Sequence, residues 1–298
     1  MAYTTAAATD GTPTPTPTPV HSSGESPRLD LDAYLARIGW SGRREASVET
    51  LRSVHRAHVQ GIPFENAQAV LGSAPSLELA DLQAKLVHSR RGGYCYEHNT
   101  LFAAVLETLG FAVTRLTARV RVGARGAIRP RTHMLLLVKV PGDSQQYLAD
   151  VGFGSIGGLL DAIPLTADTE VHDGGRTHRL VREPHHGLED LWVLQTFQDG
   201  AWSDQYAFTR EPYEPADYEV INWHVATNPR SPFQHTLYAQ RTTPDTHLAL
   251  TGRVLVTTRA DGTSEERELT DPAEARRVLD SDFGIELPEP AEKARPEL

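Results

Sequence analysis

A single cysteine, Cys95, stands in the segment Arg90-Arg91-Gly92-Gly93-Tyr94-Cys95-Tyr96-Glu97-His98-Asn99. One cysteine forms no intramolecular disulfide and no multi-cysteine zinc site, which leaves two readings, an inert packed side chain or a nucleophile. The paired glycines let the backbone turn tightly and let a substrate approach closely. A helical apolar pattern starts near Cys95, so the thiol falls in the first turn of a helix. Unpaired N–H groups and the helix dipole favour the thiolate there, and the thiolate is the reactive species. The same amides can contribute to an oxyanion hole.

A thiolate nucleophile needs a base, and the base needs an orienting group. His133 opens the apolar strand Arg131-Thr132-His133-Met134-Leu135-Leu136, and Asp150 lies in Tyr147-Leu148-Ala149-Asp150-Val151-Gly152-Phe153-Gly154. A carboxylate inside an apolar strand is costly unless it is paired or hydrogen-bonded. If the runs 134–140 and 147–153 pair across the turn residues Pro141-Gly142-Asp143, Asp150 comes into the neighbourhood of His133. It would then hold the imidazole's tautomer and stabilise its charged form, completing a Cys-His-Asp triad. His98, His172, His178, His185 and His186 match no standard zinc spacing, so no metal is expected.

The elements that must position these residues follow from periodicity. Leu31, Tyr34, Leu35 and Ile38 fall at helical spacing between an Asp30 N-cap and a Gly39 stop. A second helix starts at Ser47, carries Val48, Leu51 and Val54, and ends before Gly61 and Pro63. Leu79, Leu82, Leu86 and Val87 make a third. The fourth begins near Cys95 and runs through Leu101, Phe102, Val105, Leu106 and Leu109 to Gly110. The period then changes to two at Leu116, Ala118, Val120 and Val122. Further strand pairs are predicted at 191–197 with 202–208 and at 253–258 with 265–269, and Asp271-Pro272 opens a last helix to about Asp280. Helices followed by antiparallel strands, then mixed strands and a helix, make an α+β chain and not a doubly wound one. Residues 1–27, with Thr-Pro alternation from Thr12 to Pro19, read as a disordered tail.

The formal net charge is −10, and an acidic surface repels nucleic-acid phosphates and anionic lipid. No apolar run approaches the roughly 20 residues that cross a bilayer, and no secretory leader pattern opens the sequence. The expected location is therefore cytoplasmic, without nucleic-acid or membrane partners.

Three segments resemble the arylamine N-acetyltransferase family: Arg91-Gly92-Gly93-Tyr94-Cys95-Tyr96-Glu97-His98-Asn99, Arg131-Thr132-His133 and Asp150-Val151-Gly152-Phe153-Gly154. The resemblance extends to Tyr34-Leu35-Ala36-Arg37-Ile38-Gly39, Ile62-Pro63-Phe64-Glu65-Asn66, Asn222-Trp223 and Thr227-Asn228-Pro229-Arg230-Ser231-Pro232-Phe233, so it covers about residue 28 to the end. The tail has no family counterpart, and Asn228-Pro229-Arg230 varies a loop the family itself varies. The resemblance implies a helical bundle at 28–110 carrying the nucleophile, an antiparallel β-barrel at 111–212 carrying His133 and Asp150, and an α/β lid at 213–298. It implies ping-pong transfer of an acetyl group from acetyl-CoA, through a Cys95 thioester, to an arylamine or arylhydrazine, with no resident cofactor. It also implies a buried Glu65–Arg91 ion pair bracing the active-site loop, an acceptor pocket of Val120, Phe153 and Phe233, and a coenzyme A path past Thr227 and Ser231.

Two alternatives use the same triad logic. One is a polyketide-releasing amide synthase of this family, with Cys95 attacking a carrier-bound thioester. The other is a transglutaminase-like cysteine hydrolase, whose tryptophan-centred motif is absent around Cys95. His133 follows Cys95 far more closely than the roughly 130–150 residues of papain-like proteases. A non-catalytic binding module on the same fold is expected to have lost at least one triad residue. From Phe111 to Gly142 there is no acidic residue, while Arg115, Arg119, Arg121, Arg125, Arg129, Arg131 and Lys139 are basic; the stretch is either a solvated loop and strand face, the commoner case for any one arginine, or a positive stripe that steers coenzyme A.

Overall fold

Side-chain caps start the first helices. Asp30 accepts the Ala33 N–H ahead of α1 (Leu31–Arg37), and Ser47 accepts the Thr50 N–H ahead of α2 (Val48–Gly61). The computed structural model describes residues 28–288, so the tail at 1–27 and residues 289–298 lie outside the described residues. A short strand β1 (Phe64–Glu65) and a single turn α3 (Ala67–Val70) follow. The third predicted helix is divided: α4 (Leu79–Leu82) passes into a π-helical turn over Gln83–Val87. α5 (Cys95–Thr108) closes on Gly110, whose φ of +94° is the left-handed conformation a helix terminus asks of glycine.

Eight antiparallel strands come next: β2 (Ala112–Val120), β3 (His133–Lys139), β4 (Gln146–Ala149), β5 (Ile163–Pro164), β6 (Glu170–Asp173), β7 (Arg176–Glu183), β8 (Leu191–Gln198) and β9 (Ala201–Phe208). Their order is β5-β4-β3-β2-β9-β8-β7-β6, a nearly closed, barrel-like sheet in which β2 pairs with β9. The chain then forms α6 (Pro215–Thr227), β10 (Tyr238–Thr242), β11 (Thr246–Thr251), β12 (Val254–Arg259), β13 (Ser264–Glu268) and α7 (Pro272–Val278). Strands β10–β13 are antiparallel, and β1 joins their edge through Phe64↔Gln240 and Glu65↔Ala239. The early helical region thus donates a strand to the last sheet. No helix among the described residues is long and apolar enough to cross a membrane.

β3 shows how the layers meet. It is buried over six consecutive residues, and its alternation serves two cores. Met134, Leu136 and Val138 pack with Leu101, Phe102 and Val105 of α5, while Leu135 and Leu137 pack with Leu116, Leu148 and Leu194 on the other side of the sheet. Each such side chain is worth roughly 1.5–3 kcal/mol when fully buried. A one-residue slip would exchange the two sets, so this double burial fixes the height of His133 at the strand's mouth.

Candidate active site

Cys95 is the first residue of α5, and the helix start is built to hold it there. The Glu97 carboxylate accepts the Tyr94 N–H at 3.0 Å and is itself held by Lys85 Nζ at 2.6 Å. A Cβ on Gly92 would meet the Pro63 carbonyl oxygen at 1.9 Å, and one on Gly93 would meet the Glu97 carboxylate at 2.7 Å. Neither glycine has a positive φ. The structure therefore replaces the expected tight turn with close packing against protein atoms.

His133 opens β3, and Asp150 stands one residue beyond β4, not inside a strand running to 153 as the sequence suggested. Pairing of Leu136 with Ala149 and of Lys139 with Gln146 brings the two together, with His133 Nε2 2.6 Å from Asp150 Oδ2. With Nε2 committed to Asp150, Nδ1 is the ring nitrogen left for Cys95, whose influence raises the imidazole. Cys95 Sγ also lies 3.9 Å from the Thr132 carbonyl oxygen. Cys95 is 5% exposed, His133 3% and Asp150 2%. Burial opposes charge on both members of the His133–Asp150 couple, but their mutual attraction wins. His133 is raised to about 10, with Asp150 and Cys95 supplying the upward push. Asp150 is held below its ordinary range by His133, Asn99 and the Gly152 N–H. A Cβ on Gly152 would sit 2.7 Å from Cys95 Cα, so only glycine lets the segment after Asp150 pass this close to the nucleophile.

Three further residues hold this couple, and the sequence reading assigned none of them a role. Asn99, one turn past Cys95, donates to Asp150 Oδ1 at 3.1 Å and to the Met134 carbonyl at 2.8 Å, and accepts the Val151 N–H at 3.3 Å. Its i+4 spacing from Cys95, which puts both on one helix face, is the signal that could have found it. His55 of α2 accepts the Asp150 N–H on Nε2 at 3.0 Å and donates from Nδ1 to the Leu160 carbonyl at 2.8 Å. That pattern is satisfied only by the neutral ring. The Tyr206 ring lies 5.1 Å from that of His133, and burial together with the Asp150 charge raises its phenol well above the usual range.

The apolar residues expected at the acceptor pocket approach from three elements. Phe153 lies 5.1 Å from the His133 ring and 5.0 Å from Tyr206; Phe233 lies 5.8 Å from Tyr94 and 6.3 Å from Phe64; Val120, half-buried, pairs with Tyr206 at the end of β2. Arg91 and Glu65 meet at 2.6 Å, with side chains 14% and 1% exposed, and Glu65 also accepts the Ala67 N–H at 2.7 Å. Asn222 of α6 accepts from the Tyr94 hydroxyl and donates to the Pro75 carbonyl at 2.9 Å, tying that helix to the residue before Cys95. Thr227 and Ser231 spend their hydroxyls locally, on the Trp223 carbonyl at 2.7 Å and the Phe233 N–H at 3.3 Å.

The basic stripe is partly paired in space. Arg115 pairs with Glu107 at 2.8 Å, Arg121 with Glu183 at 2.7 Å and Asp204 at 2.9 Å, and Arg131 with Glu211 at 3.5 Å. Arg119 donates to the Arg129 carbonyl, and Arg129 to those of Val122 and Gly123. Acids outside the stripe thus pair with three of its seven cations. Among the described residues no group of three or more His, Cys, Asp or Glu side chains is placed to hold a metal ion.

Comparison with known proteins adds to this geometry. Residues 47–292 match the N-acetyltransferase family. The chain is 40% identical over 263 residues to the arylamine N-acetyltransferase of Mycolicibacterium smegmatis, covering 87% of this chain and 93% of the relative. The crystal structure of Nocardia farcinica arylamine N-acetyltransferase superposes with a TM-score of 0.82 at 48% identity, covering 87% of this chain and 90% of that one. The Mycobacterium marinum arylamine N-acetyltransferase in complex with CoA superposes at 0.79 and 36% identity, covering 86% and 93%.

Proposed function

The chain belongs to the arylamine N-acetyltransferase family and is an acyltransferase; from that premise we propose that it carries an acetyl group from acetyl-CoA to an arylamine or arylhydrazine through a Cys95 thioester. The observation that carries the reading is the buried His133–Asp150 couple beside a cysteine at a helix N-terminus. His133 takes the thiol proton, and Cys95 Sγ attacks the acetyl carbonyl carbon of the donor. The resulting oxyanion is stabilised by amides of the first turn of α5. As the intermediate collapses, the C–S bond to coenzyme A breaks and His133 returns the proton to the departing thiolate. In the second half the amine nitrogen attacks the acetyl-cysteine, His133 accepts the N–H proton, and cleavage of the C–Sγ bond releases the amide and restores Cys95. Asp150 stays ionised throughout and balances the imidazolium.

A relative solved with CoA supports a coenzyme A thioester as donor. Phe153, Phe233 and Val120 form the apolar wall for the aromatic acceptor in this reading, and Glu65–Arg91 braces the loop before Cys95. A lone cysteine kept as a free thiol suits the cytoplasm. Thr227 and Ser231 line the coenzyme A path in this reading: the Thr227 oxygen can still accept while its proton goes to the Trp223 carbonyl, and the Ser231 O–H can still donate while its oxygen accepts the Phe233 N–H. Intact mass spectrometry after brief exposure to acetyl-CoA without acceptor tests the central step. One acetyl adduct on Cys95 is expected; a Cys95→Ala protein acylated to the same level overturns it.

A further inference from the structure

Asp150 lines one side of a cavity whose facing polar side chains acetyl transfer does not use. It has a volume of about 40 Å³ and lies where the 150–155 segment and α2 meet β7, β10 and β11. Phe64 and Phe153 form part of its apolar wall, and Arg176, Gln240, Thr242 and His247 join Asp150 and Ser155 as its polar lining. Roughly 10–15 Å³ of such space accommodates one water, so a solute of three or four heavy atoms fits.

The polar side is incompletely partnered. Arg176 is half-buried, and its Nη1 donates to the Gly158 carbonyl at 2.7 Å. Asp173, the acid that acts on it, is occupied elsewhere: it accepts the Leu160 and Asp161 N–H groups and lies 3.4 Å from His178. Burial lowers Arg176 to about 10, which still leaves it charged at neutral pH. His247, 7% exposed, meets the Thr242 hydroxyl through Nδ1 at 3.0 Å, while its Nε2 is buried without a partner, as is Gln240 Oε1. Burial and the Arg176 charge bring His247 down to about 3, so the ring is neutral. With Thr242 donating to Nδ1, Nε2–H is a buried donor without a partner on a residue that lines the cavity. The Gln240 amide can turn its NH₂ inward. Water would satisfy these donors but would not offset the guanidinium charge.

We propose that this cavity binds a small carboxylate, with Arg176 supplying the charge and His247 and Gln240 the flanking donors. Asp150 does not oppose such a guest, because its own charge is balanced by His133 at 2.6 Å. The carboxylate has two possible sources, a free acid such as formate or the acid group of an aromatic acceptor seated against Phe153. The second source rests on the acetyl-transfer reading; the first does not.

Thermal denaturation of the full chain, titrated with sodium formate against sodium gluconate at matched ionic strength, tests the site. A saturable rise in Tm with formate alone is expected, abolished in Arg176→Gln and weakened in His247→Leu. If Arg176→Gln does not fold, His247→Leu and Gln240→Leu carry the same comparison. No saturable rise in the natural protein, or an equal rise in the variants, overturns the proposal. The ratio of kcat/KM for 4-aminobenzoate over 4-aminobenzamide separates the sources. A fall of about tenfold in Arg176→Gln assigns the site to the acceptor, and an unchanged ratio assigns it to a free anion. Absence of turnover with either amine would count against acetyl transfer while the formate result stands.

Discussion

Two buried histidines flank Cys95 and carry opposite charge preferences. His98 lies on the same helix one turn away, and His133 faces the thiol from β3. Burial pushes both imidazoliums down, yet His133 ends at about 10 and His98 at about 4. The difference is the partner. His98 Nε2 lies 3.2 Å from the Pro63 carbonyl, which can only accept, so that nitrogen carries the hydrogen. Its Nδ1 must then accept from His58 Nε2 at 2.8 Å, and His58 Nδ1 accepts from the Tyr34 hydroxyl at 2.7 Å. The chain Tyr34–His58–His98–Pro63 is complete with both rings neutral. A carboxylate, not burial, turns a core histidine into a proton carrier.

The largest expected effect breaks that carboxylate. Asp150→Asn keeps the shape but cannot offset an imidazolium, and it leaves His133 with the neutral surroundings His98 has. Single-turnover acylation should fall by about 10³–10⁴-fold. A loss of less than about tenfold would show that the carboxylate does not separate the two histidines. His58→Leu probes the other side. It strands the Tyr34 hydroxyl and His98 Nδ1 in the interior, at about 1–3 kcal/mol for each unpaired group. Urea denaturation should show that loss while kcat stays within about threefold. A hundredfold fall in kcat would place the neutral chain inside the mechanism.

The sequence made some of this legible and hid the rest for identifiable reasons. Cys95 at a helix start and His133 at a strand start are local patterns, and both elements begin on those residues. The β3–β4 pairing was readable from two apolar runs around a turn. The β6–β7 hairpin was not, because its strands are polar and its signal is confined to Gly174 and Gly175, with φ of +50° and +90°. α6 escaped notice because its apolar residues do not gather on one face; Val220 and Trp223 are exposed. His55 reaches Asp150 across 95 positions of sequence, and the acids that neutralise Arg121 are 62 and 83 positions away. No periodicity encodes such contacts. Nothing local separated His98 from His133 either, since the deciding carboxylate arrives from another strand.

The smallest effect is a pair of opposed pH slopes. His58 and His98 have lowered values in the folded chain, so between about 6.5 and about 4 the unfolded chain binds protons the folded one refuses. Their contribution is present above about 6.5 and is lost as pH falls. His133 is raised, so its contribution is present below about 6.5 and is lost as pH rises through about 10. Each fully shifted group changes stability by up to about 1.4 kcal/mol per pH unit within its window. Urea unfolding across pH 4.5–9.5 should therefore show His58→Leu flattening the acid limb and Asp150→Asn flattening the alkaline one. Asp150 itself titrates below this range, because its depressed value moves its window under the ordinary carboxylate pKa of about 3.9. If both variants flattened the same limb, the two histidines would share one electrostatic environment, and the carboxylate could not be what separates them.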